Sequence, residues 1–98
     1  MISLRLFLCG SAPSSRRALE NVQSLISSED IKSTSFEVVD VLADPASAEA
    51  AQIFATPALV LERDRERRVV VGDLSDREKV LHALGLRKLM EMEESNVH

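Results

Sequence analysis

The sequence predicts a single α/β domain with a mixed sheet, built in the order β-α-β-α-β-β-α. Three observations lead to it. Two strand-like apolar runs in the first half, LRLFLC and FEVVDVL, flank a segment whose apolar residues recur at helical spacing, the pattern of a parallel pair joined by a right-handed crossover. In the second half, two short aliphatic runs, PALVL and VVV, are joined by residues 62–68, charged at every position, as in a hairpin with a solvated tip. The chain has 98 residues, enough for one core and too few for two.

Each element has its own signal. Leu4, Leu6 and Leu8 alternate with Arg5, Phe7 and Cys9, a period of two with one strongly apolar face. Gly10, Ser11 and Pro13 end that strand, and Pro13 suits a first helical turn with Ser11 or Ala12 as the cap. Ala18, Leu19, Val22, Leu25 and Ile26 then share one helix face, which should end near Ser27 and Ser28. Residues 36–42, rich in valine, read as a second strand buried on both faces. Asp44-Pro45 sets an N-cap before a proline at the first helical position of an alanine-rich short helix. Ser75 and Glu78, three apart before Val80, Leu81 and Leu84, form a capping-box pattern, so a last helix is expected from about residue 76 toward Met92. Gly85 inside it costs about 1 kcal/mol relative to alanine and is a candidate break. The domain is expected over residues 1–92, and the acidic residues 93–98 are expected to fray.

Apolar residues make up 45% of the chain, but there are three Phe and no Trp or Tyr, so the core must be mostly aliphatic. The net charge of −4 argues against nucleic acid as a partner. The opening MISLRLFLCGS lacks the charged and long apolar regions of a signal peptide, and no apolar run approaches the roughly 20 residues of a membrane helix. A soluble, cytoplasmic protein with no membrane partner is expected.

This element order is that of a thioredoxin-like domain, yet thioredoxin chemistry needs a thiol to attack and a second to resolve the mixed disulfide. The chain has one cysteine, Cys9, at the end of a strand. A one-thiol, glutaredoxin-like oxidoreductase is the alternative this leaves open; otherwise Cys9 is a small buried apolar residue. His82 and His98 have no ligands at metal spacing, and no glycine-rich phosphate loop is present, so no cofactor, metal or catalytic group is expected. Thr56-Pro57 marks the start of the third strand, with either a cis bond or an ordinary trans edge proline. Arg63, Arg65, Arg67 and Arg68 form either a solvated tip or a docking surface for an acidic partner.

Over residues 4–90 the chain resembles the KaiB family of circadian-clock proteins. The resemblance is carried by LRLFLCGSAPSSRRALENV, by EVVDVLADP and IFATPALV, and above all by RRVVVGDLSDREKVL with its Gly72, Asp73, Leu74, Ser75, Arg77 and Glu78. It implies a non-enzymatic regulator that binds the ring-shaped ATPase and autokinase KaiC and modulates its phosphorylation. It further implies capture of KaiA and displacement of the SasA-type histidine kinase; an adaptor for such a kinase or for a stress response is the alternative within binding modules. The family also switches fold: a tetrameric ground state rearranges the half from about Ala46 onward, while the binding form is a thioredoxin-like monomer. The free protein is thus expected as a monomer, dimer or tetramer.

By the same resemblance, Arg5, Phe7 and Arg17 match positions near the KaiC-facing side, although Phe7 alone would read as core and the arginines as solvated. The chain departs from the family in lacking prolines between its third and fourth strands. It also carries Glu37 where lysine is common and Ala83-Leu84-Gly85 where Gly-Leu-Asp is common. Alanine at 83 favours a continuous helix and hence the thioredoxin-like form.

Overall fold

The computed structural model describes residues 2–29, 31 and 34–86, with Thr34 described by its backbone alone. Its elements are β1 (Ile2–Leu8), α1 (Pro13–Ser28), β2 (Thr34–Asp40), α2 (Pro45–Ala50), β3 (Ala58–Arg63), β4 (Glu66–Val71) and α3 (Arg77–Ala83). The sheet order is β2-β1-β3-β4. β1 and β2 run parallel, and β1–β3 and β3–β4 run antiparallel, which gives the expected mixed sheet of a thioredoxin-like fold.

Strand alternation divides the core into two layers. Leu4, Leu6 and Leu8 of β1, with Leu59 and Leu61 of β3, pack with Ala18, Val22 and Leu25 of α1 and with Val80, Leu81 and Leu84 around α3. On the opposite face Phe7, Val39, Ala58 and Val60 meet Ala48 and Ala51 from α2 and its end. Each fully buried Leu or Phe contributes about 1.5–3 kcal/mol relative to exposure.

Three elements depart from what their sequences predict. β2 spans Thr34–Asp40 and lies at a sheet edge, with Val38 44% exposed; the valine run is not buried on both faces, because β1 is its one neighbouring strand among the described residues, and Val39 and Val41 pack on the α2 side while Val38 does not. Asp40 ends the strand: its Oδ1 accepts from the N–H of Leu42 at 3.0 Å, an Asx turn.

The hairpin is longer and its turn tighter than the charge run implied. β3 and β4 extend into that run and leave Asp64-Arg65 as the two-residue turn, with Asp64 at φ 55°. Opposite charges face each other across the ladder, as Glu62–Arg67 and Arg63–Glu66, so the charged residues are compatible with paired strands.

The last helix starts one residue later and ends sooner. Asp76, not Ser75, is the N-cap, with its carboxylate accepting from the Lys79 N–H at 3.2 Å. The helix stops at Ala83, where Gly85 adopts φ 76° and the N–H groups of Gly85 and Leu86 bond the carbonyls of His82 and Leu81. This is a Schellman termination, which needs the left-handed conformation glycine supplies, and alanine at 83 does not carry the helix through it. The expected continuation to Met92 and the tail 93–98 lie outside the described residues.

Candidate partner-binding surface

The parallel and antiparallel pairings bring the carboxyl ends of β1, β2 and β4 and the start of β3 to one end of the sheet. Four connections meet there, and each is fastened locally. At the β1–α1 turn, the buried Ser15 hydroxyl accepts from the Cys9 N–H at 3.2 Å and donates to the Cys9 carbonyl at 3.3 Å. The Asp40 carboxylate ties this turn to the next, accepting from Gly10 N–H at 3.0 Å as well as from Leu42. Those two donors, Gly10 first, hold its pKa below the usual aspartate range.

The Thr56–Pro57 peptide is cis, and the Pro57 carbonyl accepts from Gly72 N–H at 2.9 Å. Beyond Gly72, the β4–α3 connection is tied to α1. Asn21 donates to the Asp73 carbonyl at 2.8 Å, and Arg17 lies 3.9 Å from the Asp73 carboxylate. Hydrogen bonds from the Ser75 hydroxyl and N–H, with Arg17 adding a smaller effect, lower the Asp73 pKa. Leu74, at φ 63°, turns into the core. The Arg77 guanidinium bonds Ser24 Oγ at 3.1 Å and Ser28 Oγ, and lies 3.6 Å from Glu29. The motif residues Asp73, Leu74, Ser75 and Arg77 therefore have structural work, while Glu78 is an exposed residue of the first turn of α3.

The sequence-derived contact residues do not converge. Arg5 and Phe7 lie on the α2 side of the sheet, whereas Arg17 lies on α1 across it. Phe7 is 0% exposed, so it packs the core rather than offering a contact. Arg5 sits over the Phe7 ring at 5.4 Å and pairs with Glu62 at 2.8 Å. Of the hairpin arginines, Arg63 and Arg68 both pair with Glu66 and Arg67 bonds the Ala51 carbonyl; the pairing, Arg68 foremost, lowers the Glu66 pKa. Cys9 is exposed rather than buried, because β1 ends at Leu8 and leaves it in the turn.

The residues that sequence reasoning missed are apolar and exposed at this same end. Leu42 is 69% exposed in the β2–α2 connection, and Phe54 is 93% exposed two residues before Thr56. The alanine-rich stretch ASAEAAQIF reads from sequence as helix up to Phe54, but α2 ends at Ala50, which leaves Phe54 in the connection to β3. Among the described residues, no group of three or more His, Cys, Asp or Glu could hold a metal ion, and no helix is long and apolar enough to cross a membrane.

A family model described as the KaiB domain matches residues 5–86, which takes in both sheet edges and the β4–α3 connection. The chain belongs to the KaiB family. Its relatives include a circadian clock oscillator protein KaiB from Synechococcus sp. strain RCC307, 40% identical over 83 residues, covering 85% of this chain and 76% of the relative. Among solved structures, the N-terminal domain of Synechococcus elongatus SasA has TM-score 0.68 and 26% identity, covering 85% of this KaiB-family chain and 82% of the SasA domain. Fasciola hepatica thioredoxin, with TM-score 0.69 and 19% identity over 86% of this chain and 78% of its own, shows the fold alone.

Proposed function

We propose that this KaiB-family chain is a non-catalytic clock regulator that docks on a KaiC-like ATPase and autokinase ring and modulates its phosphorylation state. The observation that carries this reading is the family match over residues 5–86, together with 40% identity to a circadian clock oscillator KaiB. Physical chemistry supports the same direction. The fold is one that elsewhere carries a thiol pair, but the chain has a single cysteine and presents Leu42 and Phe54 to solvent at the corresponding end. Large apolar residues exposed in connections at one end of a sheet suit protein contact rather than catalysis.

A KaiA-type protein and a SasA-type kinase are the further partners in this proposal. The likeness to the SasA N-terminal domain supports competition of the two for one ring surface. Arg17, beside Asp73 in the β4–α3 connection, supplies a polar contact at the apolar end in this reading, while the Arg5–Glu62 pair lies further along the other face of the sheet.

The test mixes the purified chain with the KaiC homologue of the same organism in ATP and, separately, in ADP, and follows co-elution on a sizing column. A nucleotide-dependent complex, weakened about tenfold or more by Phe54→Ala with unchanged circular dichroism, supports the proposal; tenfold corresponds to about 1.4 kcal/mol. Absence of a complex in both nucleotides refutes it. In the same assay Cys9→Ser should leave binding unchanged.

A further inference from the structure

β4 forms one edge of the sheet, and among the described residues no strand lies on its outer side. It contains no proline, and its ladder with β3 runs without a bulge from Ala58–Val71 to Arg63–Glu66. Such an edge offers a row of backbone groups to another strand. The register shows which groups they are. Gly72 N–H bonds the Pro57 carbonyl at 2.9 Å, and antiparallel pairs alternate between hydrogen-bonded and non-hydrogen-bonded. The Ala58–Val71, Val60–Val69 and Glu62–Arg67 pairs are therefore the non-bonded ones, and the N–H and C=O groups of Arg67, Val69 and Val71 point outward.

The two faces of this edge differ. On the α2 side Val69 and Val71 are 40% and 57% exposed, so apolar residues of an added strand would cover them. On the α3 side Val70 packs against the core, and beside it a cleft of about 220 Å³ opens between β4 and α3. Its apolar lining is Val70, Leu74 and Val80, and its charged lining is Asp73, Asp76 and Lys79. Asp73 accepts from the Ser75 N–H at 3.1 Å, with Arg17 3.9 Å away on the α1 side, and Asp76 accepts from the Lys79 N–H at 3.2 Å. Among the described residues, neither carboxylate has a cationic side chain within hydrogen-bonding distance. Two such carboxylates above an apolar floor match a side chain with an aliphatic stem and a cationic tip. At the other end of the edge, Arg67 bonds the Ala51 carbonyl and has no carboxylate partner among the described residues.

We propose that the β4 edge and this cleft receive an extended segment of another protein, added as an antiparallel fifth strand, with a lysine or arginine opposite Val70 reaching into the cleft. Directly opposed residues share a face of the sheet, so only the position opposite Val70 aims its side chain at the Asp73 and Asp76 carboxylates. Its two neighbours lie against Val69 and Val71 and are apolar. Two positions beyond the residue opposite Val69, the chain passes Arg67, where an acidic residue fits. Antiparallel addition is the more stable pairing per residue. The segment therefore reads, from its amino end, apolar, basic, apolar, any residue, acidic. Main-chain bonds supply affinity and the cleft supplies selectivity, as in other cases of strand addition. The inference does not depend on the clock reading.

The probe is a synthetic peptide with blocked ends, Thr-Val-Lys-Val-Thr-Glu-Thr, titrated into the full chain to about 1 mM, a range that detects weak strand addition. Its control, Thr-Val-Glu-Val-Thr-Lys-Thr, exchanges the two charges. Amide exchange followed by NMR should slow at Arg67, Val69 and Val71, whose N–H groups face outward, and stay unchanged at Arg68 and Val70, already bonded to β3. The control peptide should bind about fivefold more weakly or worse, and Asp76→Asn should weaken the first peptide by a similar factor. Asparagine caps a helix as well as aspartate does, and circular dichroism checks that the variant folds. No slowing at about 1 mM peptide, equal binding of the two peptides, or binding indifferent to Asp76→Asn overturns the proposal. So does slowing of the same amides with protein concentration alone, which would mean that a second copy of the chain occupies the edge.

Discussion

The two layers of this domain bury their apolar surface in different ways. The α1/α3 layer spreads it over many aliphatic side chains of similar size, Leu4, Leu6, Leu59, Leu61, Leu81 and Leu84 among them. The α2 layer is built from alanines and valines around one ring, Phe7. A distributed layer can relax around a deletion, whereas a layer with one large member has nothing to move into the space. The α2 helix is also only six residues long, so most of the polar residues of that face remain open, including the Arg5–Glu62 pair.

The sharpest way to break this comparison is Phe7→Ala, which is expected to cost about 3–5 kcal/mol in urea unfolding and to leave little folded protein at 37 °C. Leu59→Ala, also 0% exposed but in the distributed layer, should cost about 2–4 kcal/mol. If Leu59→Ala proves the more damaging, burial is not concentrated as argued.

Smaller effects lie in the ties between α1 and the β4–α3 connection. Asn21→Ala removes the donor to the Asp73 carbonyl and should cost about 1 kcal/mol, visible as faster amide exchange at residues 73–84. Asp76→Ala removes the α3 cap and should cost about 1 kcal/mol, whereas Ser75→Ala should not act as a cap loss. That pair of variants decides between the capping box read from sequence and the cap found in the structure. Arg5→Met, on the open face, should change stability by less than about 1 kcal/mol, as for other solvated ion pairs.

The carboxylates add a pH dependence with a definite sign. Asp40, Asp73 and Glu66 are all held below their ordinary values in the folded chain. Their stabilisation is therefore present in full above the ordinary carboxylate range, about pH 4, and is lost as the pH falls through the depressed values. Urea midpoints should be flat from pH 7 to about 5 and fall below 4, less steeply in Asp40→Asn.

Element order was legible because periodicity and cap residues are local. Leu4, Leu6 and Leu8 announce a half-buried face wherever the strand ends up, and Asp44-Pro45 marks its helix with no tertiary information. Strand order is not local: FEVVDVL has the composition of a central strand, but β1 takes the position between β2 and β3, leaving Val38 exposed. The charged run failed for a related reason, since residues that read as a loop become strand when Glu62 finds Arg67 and Arg63 finds Glu66 across the ladder. The one-residue error at α3 reflects two good caps, Ser75 and Asp76, side by side. As for the surface, family resemblance pointed to Arg5, Phe7 and Arg17, while Leu42 and Phe54 stand out only once the loops are folded and their exposure is known.

The position of β1 has a consequence for synthesis. Of the four strands described it leaves the ribosome first, and it pairs with β2 on one side and β3 on the other. When residue 50 has emerged, β-α-β-α can form, but the second flank of β1 has no partner until residues 58–63 follow. At translation speeds of about 5–20 residues per second, that flank waits on the order of a second. During the wait the Leu4, Leu6 and Leu8 side chains still lack Leu59 and Leu61, so a nascent chain stalled near residue 50 should be the species most readily captured by chaperones that bind apolar strands.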